Sequence, residues 1–143
     1  MKIKAATLKT AVLSKFPTVG FQWVPDKYFW VPFLAEVKVV VDLTHVERMR
    51  FMENINDCDD YALQLHAQVN QHRADQARDM TIPSDEHFPW PFGEAFGIKF
   101  QGEEFQHSCN VVYTKDEGFQ FIEPQTDEVW TAGAGDIVLC VKF

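Results

Sequence analysis

One apolar stripe constrains this chain more than any other feature. Cys58, Tyr61, Ala62, Leu65 and Val69 fall at i, i+3, i+4, i+7 and i+11, the spacing of a single helix face. Asn56 or Asp57 supplies a cap, and Asp59 and Asp60 put negative charge at the positive end of the helix dipole. The helix therefore starts at Cys58 or one residue before it, and fades through the polar run from Asn70 to Asp79.

Downstream the pattern changes to the two-residue period of strands. Ala95 to Phe100, Gln106 to Tyr113, Phe119 to Glu123 and Ile137 to Phe143 read as strands, with Lys115-Asp116-Glu117-Gly118 as a turn. Upstream, Ala5 to Phe16 is a short amphipathic helix stopped by Pro17, and Gly20 to Pro32 is extended or looped. Leu34 to Met52 suits a helix in part, while Val37, Val39, Val40 and Val41 also suit a strand; that stretch stays open. Helices first and an antiparallel sheet after them make an α+β domain. At 143 residues the chain is one domain, and 13 Phe with 4 Trp are enough to fill its core, which excludes intrinsic disorder.

The charge narrows the partners. Lys and Arg number 13 against 21 Asp and Glu, a net −8, so neither nucleic acid nor an anionic membrane is an expected partner. Three scattered cysteines, Cys58, Cys109 and Cys140, make neither a disulfide framework nor a CxxC metal site. Lys9 and Lys15 interrupt the N-terminal segment, which does not read as a signal peptide. Phe29 to Val41 carries Glu36 and Lys38 and is too short to span a bilayer. The expected location is the cytoplasm.

Three residues combine into a specific arrangement. Cys58 stands at a helix N-terminus, where free N–H groups favour thiolate. His107 begins one strand and Glu123 ends the next. A three-residue loop, Thr114 to Asp116, would pair His107 directly with Glu123. A five-residue loop, Thr114 to Gly118, would pair position 109 with 123 and leave His107 diagonal to it. Both registers put the two side chains on one face, roughly 4.5–8 Å apart at Cβ. A nucleophilic Cys, a His base and an orienting carboxylate are the parts of a cysteine nucleophile.

The segments Asn56-Asp57-Cys58-Asp59-Asp60-Tyr61-Ala62, Gly93-Glu94-Ala95-Phe96-Gly97, His107-Ser108-Cys109-Asn110-Val111 and Phe121-Ile122-Glu123-Pro124-Gln125-Thr126 resemble small papain-like cysteine peptidase domains of bacteria and phages. These are similar to the C-terminal domain of a mushroom agglutinin. The resemblance runs from Asn56 to Thr126 within a single domain of residues 1–143. It implies a papain-like fold, with the Cys58 helix packed on an antiparallel sheet. It also implies Cys58 as nucleophile, His107 as base and Glu123 as third member. The activity it implies is cysteine-dependent hydrolysis or acyl transfer at an amide of a peptide or protein substrate: peptidase, amidase or transglutaminase-like. A non-enzymatic phage or bacterial binding module of the same fold is the alternative.

Further expectations attach to neighbouring residues. The glutamine that papain-like enzymes carry before the nucleophile is absent, and Asn54 is the substitute oxyanion donor. No cofactor is required by the sequence. The clustered carboxylates suit Ca²⁺, with Asp59 and Asp60 as ligands. In the Pro-rich segment Thr81 to Phe92, Trp90 and Phe92 are expected to flank the substrate cleft, whereas Cys109 and Cys140 lie in apolar strands and are inert.

Overall fold

The computed structural model describes residues 1–53 and 55–143. Its elements are β1 (Lys2–Lys4), α1 (Ala5–Lys15), β2 (Phe21–Trp23), β3 (Tyr28–Trp30), α2 (Leu34–Thr44), α3 (Cys58–Arg78), β4 (Phe92–Phe100), β5 (Glu103–Thr114), β6 (Gly118–Glu123), β7 (Glu128–Thr131) and β8 (Ile137–Lys142). Single 3₁₀ turns cover Val46–Arg48 and Ser84–Glu86. The ambiguous valine run resolves as helix: Val37, Val40 and Val41 form one buried stripe of α2. The α3 helix continues to Arg78 past the point where its stripe fades, aided by a Gln71–Asp75 hydrogen bond of 2.8 Å and an Asp75–Arg78 ion pair of 2.9 Å.

Six strands form one sheet in the order β2-β8-β4-β5-β6-β7, while β1 and β3 form a separate antiparallel pair. The sheet has helices on both faces. On one, Leu8 and Val12 of α1 and the nearby Phe16 pack with Phe100, Cys109, Val111, Phe121 and Val141. On the other, the α2 valines and Tyr61, Leu65 and Val69 of α3 pack with Phe92, Val112 and Ile122. Odd positions of β5 and β6 thus face α1, and even positions face α2 and α3.

This architecture corrects the expected α+β, papain-like arrangement of a helix packed on an antiparallel sheet. The sheet is mixed, because β2 runs parallel to β8, with Phe21 opposite Cys140 and Trp23 opposite Lys142. The start of the segment read as extended or looped becomes an edge strand because backbone and hydroxyl donors pin it there. Thr18 Oγ1 donates to the Val138 carbonyl at 2.7 Å, Gly20 N–H to Leu139 at 3.0 Å, and Phe143 N–H to Trp23 at 2.9 Å. Strands also precede the helices. No helix among the described residues is long and apolar enough to cross a membrane.

Candidate binding site

The β5–β6 hairpin adopts the second of the two registers, with Tyr113 opposite Phe119 and Asn110 opposite Ile122. His107 is therefore diagonal to Glu123. The side chains meet nonetheless: His107 Nε2 lies 2.5 Å from Glu123 Oε2. The imidazole also stands edge-on to Phe100, with ring centroids 5.9 Å apart.

His107 and Glu123 line a cleft of about 230 Å³ on the α1 side of the sheet. Phe100 and Trp130 form its aromatic floor, standing edge to face with centroids 6.4 Å apart. Phe105, which is 46% exposed, forms a rim, two positions before His107 on the same side of β5. Glu103 and Glu128 complete the acidic wall, and Glu128 sits directly opposite Glu123 in the β6–β7 ladder. Among the described residues no lysine or arginine lines the cleft. Sequence reasoning missed Glu103, Phe105, Glu128 and Trp130. Extending the alternation of β5 back to position 103 places Glu103 and Phe105 on the His107 face, which was the available signal.

Cys58 opens α3, as expected, but among the described residues no hydrogen bond joins its thiol to His107 or Glu123. The α3 helix lies over the even face of β5, where the buried Asn110 side chain donates to the Ala62 carbonyl at 2.8 Å and to the Gly93 carbonyl at 3.0 Å. Asn110, which belongs to the motif around His107, thus ties helix to sheet. Asn54, the expected oxyanion donor, lies outside the described residues. Trp90 and Phe92, expected beside a cleft, are 4% and 0% exposed in the core beneath α2 and α3. The thiol of Cys109 is pushed up well above its ordinary value by burial, with smaller repulsions from Glu123, Asp136 and Cys58.

Ligand atoms of Asp57, Cys58 and Asp59 lie within 4.8 Å of one another. A hydrogen bond shared with Asp57, then burial, holds the Asp59 carboxyl above the usual carboxylate range. Asp60, the other expected ligand, instead accepts from the Asp57 N–H at 3.3 Å. Two carboxylates and a soft sulfur supply only part of the six to eight oxygens that Ca²⁺ takes.

A model of the family described as agglutinin C-terminal matches residues 28–129. No curated protein matches the chain. Among solved structures, the PSL1a-E64 complex superposes with a TM-score of 0.77 at 17% identity, covering 99% of this chain and 51% of that one. The Polyporus squamosus lectin bound to the human-type influenza-binding epitope Neu5Aca2-6Galb1-4GlcNAc gives a TM-score of 0.74 at 16% identity, covering 99% of this chain and 49% of that one. The chain spans about half the length of these structures.

These findings support the agglutinin part of the sequence resemblance, and nothing in them shows a papain-like peptidase. They correct the expected cysteine-dependent hydrolase or acyl transferase, and the expected peptide or protein substrate: the family is an agglutinin family, and the second structure is a lectin bound to a glycan.

Proposed function

The chain belongs to the agglutinin C-terminal family, and on that premise we propose that it is a carbohydrate-binding domain whose sugar sits in the cleft of Phe105, His107, Glu123 and Trp130. The observation that carries this reading is the composition of the cleft, exposed aromatic surface beside a row of carboxylates. A pyranose ring has one face of C–H groups, which stacks on an aromatic ring, and an edge of hydroxyls. The rings offer a rigid apolar surface that loses little conformational freedom. Ionised carboxylates only accept hydrogen bonds, and sugar hydroxyls donate them. Charge-assisted bonds of this kind are roughly twice as strong as neutral ones.

The test is direct titration with a panel of mono- and oligosaccharides, read by calorimetry or by chemical shifts of the Trp130 indole. Trp130→Ala is expected to abolish binding and Phe105→Ala to weaken it about tenfold, ~1.4 kcal/mol. Cys58→Ala is expected to leave binding unchanged. Absence of binding to every sugar at millimolar concentration, or equal binding by Trp130→Ala, overturns the reading. For the metal, we propose Asp57 and Asp59 as the protein oxygens of a partial Ca²⁺ shell completed by water. Millimolar Ca²⁺ is then expected to raise the melting temperature, and Asp59→Asn to remove the rise; a flat response in the native protein discards the site.

A further inference from the structure

Arg73, in the last third of α3, is 6% exposed, and its guanidinium stays charged wherever it is placed. Its hydrogen bonds all go to neutral acceptors. Nε donates to the Phe88 carbonyl at 3.3 Å, Nη1 to Gln76 Oε1 at 2.9 Å and Nη2 to the Glu86 carbonyl at 2.5 Å. The Trp90 ring lies 5.5 Å from the guanidinium carbon. The Glu86 and Glu36 charges favour the cation through space, but burial outweighs them, and among the described residues no carboxylate is hydrogen-bonded to it. Of the five N–H groups of a guanidinium, one on each Nη remains unused. Arg73 lines a cleft of about 370 Å³ together with Asp26, Asn70, Ala74, His87 and Phe88. This cleft shares no lining residue with the one that holds His107 and Glu123. Lys2 Nζ stands 4.0 Å over the Phe88 ring and 4.3 Å over Tyr28, and Lys27 Nζ is 5.5 Å from Tyr28. Three cations and an imidazole thus gather at one place in a chain whose net charge is −8.

We infer that this cleft binds a small organic carboxylate, held by the two remaining N–H groups of Arg73 with its apolar body against Phe88 and Ala74. A buried charge is costly unless it is paired as well as hydrogen-bonded, and here the pairing half is missing. A carboxylate supplies two acceptor oxygens in the geometry that a guanidinium fork meets. The Asn70 amide adds a neutral donor to the same wall. The Phe88 ring and the Ala74 methyl keep water from the ion pair, which strengthens it. A singly charged ligand fits better than a phosphate dianion, because Asp26 lies on the same lining and repels a second negative charge. The volume belongs to the small end of ligand clefts.

Benzoate is the probe, titrated into the whole chain and followed through the Arg73 Nε–H and His87 ring signals in NMR spectra. Benzyl alcohol, of similar shape without the charge, and inorganic phosphate are the comparisons. Benzoate is expected to shift both signals and to bind at least about tenfold more tightly than either comparison. Asp26→Asn removes the opposing carboxylate and is expected to tighten benzoate about threefold. Ala74→Trp, at an exposed position, fills the cleft and is expected to abolish binding with the circular dichroism unchanged. Arg73 itself is kept, because it ties the Glu86 and Phe88 carbonyls to α3 and its loss would loosen that segment. No binding of benzoate at about 10 mM, equal binding of benzyl alcohol, tighter binding of phosphate, or benzoate binding that survives Ala74→Trp each overturns the inference.

Discussion

Glu94 shows how one side chain on the α3 face is held by opposing effects. Burial alone would push its carboxyl up, but hydrogen bonds from His66 Nδ1 at 2.8 Å and Lys142 Nζ at 3.2 Å outweigh it and hold the pKa below the ordinary value. The group joins α3 to the β4–β8 ladder, where Glu94 and Lys142 are direct partners. A carboxyl depressed in the folded state stabilises the fold above its unfolded pKa of about 4.3, and that contribution disappears as pH falls through the lower folded value. Chemical denaturation of Glu94→Gln against the native protein is expected to show a deficit on the order of 1–2 kcal/mol at pH 7. The two curves should converge below about pH 4. A deficit that persists unchanged at pH 3 would assign the effect to packing instead. At the same scale, alternation along β5 and β6 placed His107 and Glu123 on one face, because side-chain period needs no tertiary knowledge. It did not reveal Glu128 or Trp130, which reach the cleft through a strand, β7, too short to stand out in the sequence.

At the scale of elements, the β4–β8 crossing is set by how closely two backbones approach. A Cβ at Gly93 would lie 1.9 Å from the Lys142 carbonyl oxygen and 2.8 Å from the Phe143 Cα. Neither is a side chain that can swing away. Gly93 also presents its carbonyl to the Asn110 amide, so the strand cannot shift without breaking the tie to α3. Gly93→Ala is accordingly expected to cost about 2 kcal/mol or more, read as a lowered denaturation midpoint, while Gly133→Ala, which meets nothing within 4 Å, serves as the control. Equal effects of the two would refute the close approach. The register of β5 against β6 belongs to this scale as well: counting along the strands left a three-residue and a five-residue loop open, and the structure takes the second register, in which Thr114 pairs with Gly118 and donates its hydroxyl to the Gly118 carbonyl at 3.0 Å.

Across the whole molecule, one sheet serves two cores. Phe121 anchors the α1 side, packed against Phe16, Phe100 and Trp130, and Leu65 anchors the α3 side. Since β5 and β6 contribute alternate residues to both, neither core is expected to melt alone. Phe121→Ala and Leu65→Ala should each cost about 3–5 kcal/mol and retain a single cooperative transition by fluorescence and circular dichroism. Two separated transitions in either variant would show that the halves unfold independently. The Phe121 variant carries an added expectation, since Phe121 backs the rings of Phe100 and Trp130: sugar affinity should fall with it and be largely kept in the Leu65 variant. What the residue order determined by itself is local. The stripe from Cys58 to Val69 specified α3, and the alternation of Phe119, Phe121 and Glu123 specified the inner face of β6, because helix and strand periods are properties of neighbouring residues. What only the tertiary structure decided is which of those faces meet. Parallel pairing of β2 with β8, and the burial of Trp90 and Phe92, depend on contacts between segments far apart in the chain, and no local period encodes such contacts.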